Sequence, residues 1–204
     1  MVKKKLVIIG TATYSTVVKE AAELAGYSIL GFVDPFNSKK KSKKKLLSLQ
    51  NIKKLKKNFK IIIAIGDNKK RKFFFEYFKK NSFSFASVIH PSALVANTAK
   101  IEIGSFVSVG AIVNSNAKIF KNSIINSGSI VEHDTIIKEH SHIAPGVKIG
   151  GNSSVGKLSF IGIGSVILDC VNIGNETVVG GGSVVIKNLK SGAKFAGIPA
   201  KEIK

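Results

Sequence analysis

The chain has 204 residues, and 32 Lys and Arg against 12 Asp and Glu give it a formal net charge of +20. This length fits two domains of roughly 100 residues each. The single cysteine, Cys170, excludes an intramolecular disulfide. No segment approaches the roughly 20 apolar residues of a membrane span, and the apolar run Leu6 to Ile9 is far too short for a signal peptide. We therefore expect a cytoplasmic protein.

The positive charge is concentrated near the N-terminus. Residues 1–82 hold 21 basic and 5 acidic side chains, whereas residues 83–204 hold 11 and 7. Nearly all of the excess is lysine, and no aromatic side chains that could stack on bases interrupt the densest run. We interpret this run as a solvated surface and expect no nucleic-acid partner. The run contains Lys39, Lys40, Lys41, Lys43, Lys44 and Lys45.

The first 34 residues alternate between strand-like and helix-like segments. Residues 6–9 form an apolar run that Gly10 ends, residues 15–25 have helical apolar spacing, and residues 28–33 form a second apolar run. This order predicts a βαβ unit. The apolar positions of the predicted helix are Val17, Val18, Ala21 and Leu24.

The next 55 or so residues continue the alternation of strands and helices. Residues 60–65 predict a third strand, residues 68–80 a helix, and residues 83–89 a last strand before His90 and Pro91, whereas residues 37–58 indicate no clear element. The pattern predicts an α/β domain over residues 1–86, with a small parallel sheet of the Rossmann-like βαβ type. The apolar side of the second helix is predicted from Phe73, Phe74, Tyr77 and Phe78.

Ligands of such sheets bind beyond the carboxyl ends of the strands. The turn after the first strand keeps only its first glycine, so a dinucleotide fingerprint is absent. Asp34 is placed either to accept a hydrogen bond from a ribose hydroxyl or a base, or to start a turn before Pro35, and the sequence leaves both roles open. The candidate substrate contacts at this edge are Gly10, Thr13, Tyr14, Asp34, Gly66 and Asn68.

Every sixth residue from Ile89 to Val185 is aliphatic, over seventeen consecutive positions, and most are followed four residues later by a small side chain. Neither a strand nor a helix has this period, which is typical of a hexapeptide solenoid. Three hexads close a coil of about eighteen residues, with the aliphatic side chains pointing inward. We therefore predict an all-β parallel β-helix of between five and six coils over residues 87–204. Glycines such as Gly104, Gly150 and Gly156 are expected at corners that require positive φ.

Several segments resemble one known family over nearly the whole chain. They are AIGDN at residues 64–68 with Arg71, HPSA at residues 90–93, the hexapeptide coils, and GIPAK at residues 197–201. This combination resembles the bacterial sugar acetyltransferases, which include bacillosamine-type N-acetyltransferases of nucleotide-activated aminosugars and sialic acid O-acetyltransferases. The resemblance implies a left-handed β-helix, a homotrimer and acetyl-CoA as the cosubstrate.

Residues 125–134 resemble the catalytic stretch of that family. The resemblance implies that His133 is the general base, that Asp134 is the acid beside it, and that Asn126 is an active-site asparagine. The usual glycine, serine and histidine of the first turn are replaced here by Thr13, Tyr14 and Ser15, which leaves the nucleotide and the sugar open. The positions that match the acetyl-CoA site are His142, Ile163, Gly181 and, less closely, Gly151.

The eighteen-residue coil predicts how these residues are distributed. Ile163 and Gly181 stack on each other, whereas His133 lies nine positions from His142, which is about half a coil. One prism therefore presents the proposed base and the acetyl-CoA positions on different faces. Since a groove between two prisms could unite them, we predict that the reaction requires the homotrimer.

The predicted function is acetyl-CoA-dependent N-acetylation of a nucleotide-linked aminosugar in bacterial surface-glycan biosynthesis, without a metal. O-acetylation of a sialic-acid-like sugar is the first alternative. A zinc enzyme resembling the hexapeptide carbonic anhydrases is the second, with His133, His140 and His142 as ligands, and a non-enzymatic solenoid is the third. His140 is otherwise expected at an exposed, solvated corner, and His90 is expected to be a structural or hinge residue.

Overall fold

The computed structural model describes residues 4–36, 45–55 and 58–204. Most of the lysine run lies outside these residues, so its predicted solvation stays a prediction. The N-terminal part forms a three-stranded parallel sheet in the order β2-β1-β3, which confirms the predicted βαβ unit. Its elements are β1 (Lys4–Ile9), α1 (Tyr14–Leu24), β2 (Tyr27–Val33), α2 (Leu49–Leu55), β3 (Lys60–Ile63) and α3 (Asn68–Lys80).

The two faces of this sheet are covered by different partners. Leu6 and Ile8 of β1 pack with α1 and with the solenoid, whereas Val7 and Ile9 pack with α3. Strand side chains alternate between faces, so β1 supplies both cores. The predicted apolar positions of α1 are only half right: Val18 and Ala21 are buried, but Val17 and Leu24 are exposed.

The buried stripe of α3 differs from the prediction. Arg71, Phe75 and Phe78 are buried at helical spacing, whereas Phe73 is 65% exposed. An aromatic run is apolar on every side of a helix, so the sequence does not identify the side that faces the sheet.

From Val88 onward the chain coils into a solenoid of seventeen two-residue strands with a closing hairpin, and partners in neighbouring coils lie eighteen residues apart, as in Ile124 and His142. This confirms the parallel β-helix of hexapeptide repeats. Face 1 contains β4 (Val88–Ile89), β7 (Phe106–Val107), β10 (Ile124–Ile125), β13 (His142–Ile143), β16 (Phe160–Ile161), β19 (Val178–Val179), β21 (Lys194–Ala196) and β22 (Lys201–Ile203). Face 2 contains β5 (Leu94–Val95), β8 (Ile112–Val113), β11 (Ile130–Val131), β14 (Lys148–Ile149), β17 (Val166–Ile167) and β20 (Val184–Val185). Face 3 contains β6 (Lys100–Ile101), β9 (Lys118–Ile119), β12 (Ile136–Ile137), β15 (Ser154–Val155) and β18 (Asn172–Ile173).

The last strand predicted for the N-terminal sheet, residues 83–89, is wrong. Phe85 forms only a single bridge to Ile61, and strand structure resumes at β4, which pairs with β7 of the solenoid. Phe83 and Phe85 are nevertheless buried in the α3 side of the core. Both side chains are apolar because they pack into this core. The segment that carries them does not form a continuous series of strand hydrogen bonds with β3.

The repeat explains the small side chains that follow the aliphatic ones. The Ser141 hydroxyl donates to the Gly156 carbonyl at 2.8 Å, and the Ser159 hydroxyl donates to Gly174 at 2.8 Å. Each of these hydroxyls satisfies a corner carbonyl of the following coil.

The corner glycines are required for different reasons. Gly104 has φ of +74°, as predicted, but Gly150 and Gly156 do not have positive φ. A Cβ on Gly156 would lie 2.4 Å from the backbone of Gly174, so contact with the next coil explains that glycine. None of the helices in the described ranges is both long and apolar enough to cross a membrane.

Candidate active site

His133 lies at the corner between faces 2 and 3, which we call corner 2–3 and which His133 and Asp134 occupy between β11 and β12. Its Nδ1 donates to Asp134 Oδ2 at 3.0 Å, and its side chain is 55% exposed. Hydrogen bonds from His133 and then from Asn116 hold the pKa of Asp134 below its usual value. An ionised carboxylate only accepts, so Nδ1 carries the hydrogen and Nε2 is left to accept a proton.

Gly151 lies directly beside the His133 ring, eighteen residues further along the chain. A Cβ on Gly151 would lie 2.7 Å from both Cε1 and Nε2 of His133. Its own N–H donates to Asp169 Oδ1 at 2.6 Å. Gly151, predicted to contact acetyl-CoA, is thus placed with the proposed base rather than with the other acetyl-CoA positions.

Asn126 and His142 meet on face 1. The Asn126 amide donates to Nε2 of His142 at 3.2 Å, and Nδ1 of His142 lies 3.3 Å from the Gly66 carbonyl. Because a carbonyl accepts, Nδ1 carries the hydrogen and the neutral ring accepts through Nε2. Burial, with a smaller contribution from Arg71, lowers the pKa of His142 to about 4. His142 is therefore a fixed neutral group at neutral pH.

Ile163 and Gly181 lie at the corner between faces 1 and 2, which we call corner 1–2 and which residues 126–129 represent in the third coil. Ile163 is 63% exposed, and a Cβ on Gly181 would lie 3.1 Å from its side chain. The positive-φ positions of this corner carry no side chain in five successive coils, which leaves an exposed ridge of backbone. These positions are Gly110, Gly128, Gly146, Gly164 and Gly182.

The predicted separation of the site residues agrees with this geometry. His133 occupies corner 2–3, Ile163 and Gly181 occupy corner 1–2, and His142 points outward from face 1. The two corners are the opposite edges of face 2. Apart from Gly151, one protomer therefore does not bring His133 to the predicted acetyl-CoA positions.

At the edge of the N-terminal sheet, Gly10 donates to the Val33 carbonyl at 2.8 Å, and Thr13 precedes the first turn of α1. Asp34 Oδ1 accepts from the Phe36 amide at 3.0 Å, so the carboxylate closes a turn. The phenol oxygen of Tyr14 is buried without a hydrogen-bond partner among the described residues, and its burial raises the pKa of Tyr14. The Tyr14 hydroxyl thus points into the protein.

The turn after β3 contacts the solenoid. Both amide hydrogens of Asn68 are donated, to the Leu158 and Ser159 carbonyls at 3.0 Å each. Gly66 and Asn68 also line, with His142, an open groove of about 570 Å³. The predicted N-terminal and acetyl-CoA positions therefore share one groove at Gly66 and His142.

The expectation of a solvated His140 is wrong. His140 is 3% exposed, its Nδ1 pairs with the Asn122 amide at 2.8 Å, and its ring meets Phe75 edge-on, because α3 packs on this corner.

The three histidines of the zinc alternative lie at three separate places. Across the described ranges, no three His, Cys, Asp or Glu side chains are grouped as metal ligands would be.

The eighteen-residue period also identifies two residues that contact the predicted site residues and lie outside the family motifs. Asn116, whose amide donates to Asp134 Oδ1 at 3.2 Å, precedes Asp134 by eighteen residues. Asp169, which binds the Gly151 amide, follows Gly151 by the same interval. Counting eighteen residues from each predicted site residue would have found both.

Comparisons with known proteins agree with this architecture. Residues 5–78 match the model of the PglD N-terminal domain, and residues 116–151 match the bacterial transferase hexapeptide (six repeats). PerB from Caulobacter crescentus, solved in complex with CoA and GDP-perosamine, is 30% identical with a TM-score of 0.90, and the match covers 98% of this chain and 97% of that one. A histidine-substituted perosamine N-acetyltransferase from the same organism, with the same ligands, is 29% identical with a TM-score of 0.92 over 98% and 97% of the two chains.

The acetyltransferase domain of PglB from Neisseria gonorrhoeae FA1090, in complex with acetyl coenzyme A, is 28% identical with a TM-score of 0.91 over 99% of this chain and 100% of that one. The comparison with curated proteins finds no match. The α/β domain and the hexapeptide solenoid define an acyltransferase of the hexapeptide-repeat class. The chain belongs to the family of nucleotide-aminosugar acetyltransferases, as the sequence resemblance predicted.

Proposed function

We propose that this protein transfers the acetyl group of acetyl-CoA to the amino group of a nucleotide-linked aminosugar, with His133 as the general base. The observation that carries the proposal is the His133–Asp134 pair, in which an ionised carboxylate holds Nδ1–H of a 55% exposed imidazole and leaves Nε2 as the proton acceptor. An imidazole whose Nδ1–H is held by a carboxylate suits removal of a proton from an attacking amine through Nε2. The solved relatives that bind CoA and GDP-perosamine support this choice of substrates.

In the proposed reaction, the amine attacks the thioester carbonyl while His133 Nε2 takes its proton. Asp134 stabilises the imidazolium that forms, and the CoA thiolate leaves and takes this proton from the imidazolium, which regenerates the neutral base. One amide hydrogen of Asn126 is committed to His142, and the second is available to the developing oxyanion. No covalent enzyme intermediate is needed.

The proposed acetyl-CoA site runs along corner 1–2. Exposed Ile163 lies beside Gly181 and precedes Gly164 of the glycine ridge, and this apolar side chain next to bare backbone suits close approach by an extended pantetheine chain. His142 contributes a neutral imidazole to this site from face 1. Gly151 of the neighbouring protomer contributes indirectly, because it keeps His133 of that protomer in place.

The site is proposed to be completed between protomers of a homotrimer. The outward residues of face 2 are apolar in five of six strands, whereas those of face 3 are mostly polar, so face 2 suits burial against another copy. Contact along face 2 would bring the corner 2–3 of one protomer to the corner 1–2 of the next. The outward residues of face 2 are Leu94, Ile112, Ile130, Lys148, Val166 and Val184, and those of face 3 are Lys100, Lys118, Ile136, Ser154 and Asn172.

We propose that residues 1–86 hold the nucleotide and that residues 87–204 carry the transfer. Gly10, Thr13, Asp34 and Gly66 stand at the carboxyl edge of the parallel sheet, where such ligands bind. In this proposal the enzyme acts in the cytoplasm and supplies an acetylated sugar for a bacterial surface glycan.

The decisive experiment incubates the protein with acetyl-CoA and a panel of 3-amino and 4-amino nucleotide sugars, and follows thiol release. Sialic acid is included in the panel as the acceptor for O-acetylation. Thiol release and an amide product with an aminosugar support the proposal. Thiol release only with sialic acid, or none with any acceptor, contradicts it.

A further inference from the structure

Arg71 is the one buried cation of the described α3 helix, and it forms no ion pair among the described residues, although the Asp67 charge acts favourably on it from outside ion-pair distance. It is 1% exposed, and its guanidinium donates only to neutral oxygens. Burial is the main cause that lowers the pKa of Arg71, to about 10. The acceptors are the carbonyls of Asn122 (3.0 Å), Ile65 (3.2 Å), Gly66 (3.0 Å), His140 (2.7 Å) and Ser141 (3.1 Å), and Asn68 Oδ1 (2.7 Å).

This environment is more elaborate than attachment of a helix requires. A buried charge is costly unless it is fully hydrogen-bonded, and an apolar side chain would hold α3 to the solenoid without that cost. The planar guanidinium instead binds the turn after β3 and two coils of the solenoid at once. Its geometry fixes the position of that turn relative to the solenoid.

The Gly66 carbonyl is the contact that leads to the site. It accepts from Arg71 Nη1 at 3.0 Å and faces Nδ1 of His142 at 3.3 Å. The bond to Gly66 sets the tautomer of His142, and that tautomer lets Nε2 accept from Asn126 at 3.2 Å. Asn126 Oδ1 in turn accepts from the Ser127 amide at 2.8 Å. A continuous series of hydrogen bonds therefore joins Arg71 to corner 1–2.

We propose that Arg71 is a positioning residue that couples the nucleotide-binding turn to the acetyl-transfer site, by holding the Gly66 carbonyl against the His142 imidazole. The inference rests on the proposed function, since Gly66 and Asn126 matter to the reaction only if nucleotide and acetyl group meet there. Arg71 touches neither substrate. It sets the orientation of the Asn126 amide through Gly66 and His142.

The test is a double-mutant cycle with Arg71→Lys and His142→Asn, in the enzyme with the aminosugar that the panel identifies. Lysine keeps a buried cation but not the planar set of donors, and asparagine keeps a donor toward Gly66 but is too short to place an acceptor where Nε2 of His142 meets Asn126. Each variant is expected to lower kcat by about 10- to 100-fold, with a smaller change in KM for the nucleotide sugar. The double variant is expected to lose no more activity than either single variant, because both break one series of bonds.

Tyr27→Phe is the matched control, because it removes another hydrogen bond near the domain junction, from the Tyr27 hydroxyl to the Ser87 carbonyl at 3.2 Å, without touching Gly66. It is expected to leave kcat unchanged. Nitrogen-15 NMR of the histidines gives a readout that does not need turnover: His142 is expected to be the Nδ1–H tautomer in the parent and a mixture in Arg71→Lys.

Multiplied losses in the double variant, an unchanged His142 tautomer, or parent-level kcat in folded Arg71→Lys would each overturn the inference. A parent protein that acetylates no aminosugar would instead refute the proposed function, and the tautomer measurement would still decide whether Arg71 controls His142.

Discussion

The imidazole of His133 rests against the backbone of Gly151, so closely that a methyl group on Gly151 would lie 2.7 Å from two of its ring atoms. The two residues are eighteen positions apart and stack at corner 2–3. Gly151 has no positive φ that would itself require glycine. The absence of a side chain therefore serves the imidazole rather than the backbone.

Gly151→Ala is expected to displace the His133 ring and to lower kcat by about 10- to 100-fold, because the proposed base no longer reaches the amine. The free energy of unfolding should change little, since an exposed ring can move away. Steady-state kinetics and urea unfolding measure the two effects. Gly181→Ala is the control: its methyl would meet Ile163, so it should raise KM for acetyl-CoA more than it lowers kcat. Equal kcat in Gly151→Ala and the parent would refute the role of Gly151.

Asp134→Asn is expected to lower kcat by at least about 100-fold with the fold intact. An asparagine tolerates the positive φ of this position, +56°, but its amide can donate to Nδ1 and so favours the tautomer that has its hydrogen on Nε2. Near-normal kcat would show that the carboxylate does not set the tautomer. Asn116→Gly, which tolerates the positive φ of this position, +60°, and removes the 3.2 Å hydrogen bond to Asp134, should have a smaller effect.

The sequence predicts the solenoid well because one period governs it. Each hexad must place one aliphatic inward and one small side chain at a corner, and therefore Val131 and Ser129 are identifiable without neighbours. The separation of His133 from His142 follows from the same count. These features depend on positions within a repeat and not on contacts across the molecule.

Contacts between the two parts of the chain are not visible in the sequence. Phe73 and Phe75 are equivalent in a row of aromatics until the sheet selects one side of α3. His140 occupies an ordinary corner position, and only the docking of α3 buries it. Arg71 is one basic residue among many, and its burial depends on carbonyls that lie 51 to 70 residues away.

Stability is expected to fall as the pH is lowered from about 6.5 toward 4. Burial, with a smaller contribution from Arg71, lowers the pKa values of both His140 and His142 to about 4, whereas an unfolded histidine titrates near 6.5. Between these values the unfolded chain binds more protons, so acid favours unfolding, on the order of 2 kcal/mol per histidine at pH 5.

Urea unfolding at pH 7 and pH 5, at one protein concentration, measures this dependence. His140→Asn keeps the positive φ of its position and should reduce the difference between the two pH values. His90→Asn, at a histidine that is not buried, is the control for loss of a ring. An identical pH dependence in His140→Asn and the parent would contradict the prediction.

Tyr14→Phe separates two roles of the first turn. The Tyr14 hydroxyl is buried without a partner among the described residues, so its removal should raise the free energy of unfolding by about 1 kcal/mol. KM for the nucleotide sugar should stay unchanged if the hydroxyl points inward in solution too. A raised KM with no gain in stability would show instead that this hydroxyl contacts the substrate, as the sequence position suggests.

Ile130→Glu is expected to dissociate the proposed trimer and to abolish transfer. Val131 lies in the solenoid core, so the alternation of β11 directs Ile130 outward on face 2, where a buried carboxylate without a partner would be unfavourable by several kcal/mol. Ser154→Glu places the same charge outward on face 3 and should leave both assembly and activity unchanged. Light scattering on eluted protein measures the mass. A trimeric Ile130→Glu variant would place the interface elsewhere. A monomeric parent that is fully active would refute transfer between protomers. His133 and Ile163 lie at opposite edges of face 2 within one chain, so transfer as proposed needs a second copy.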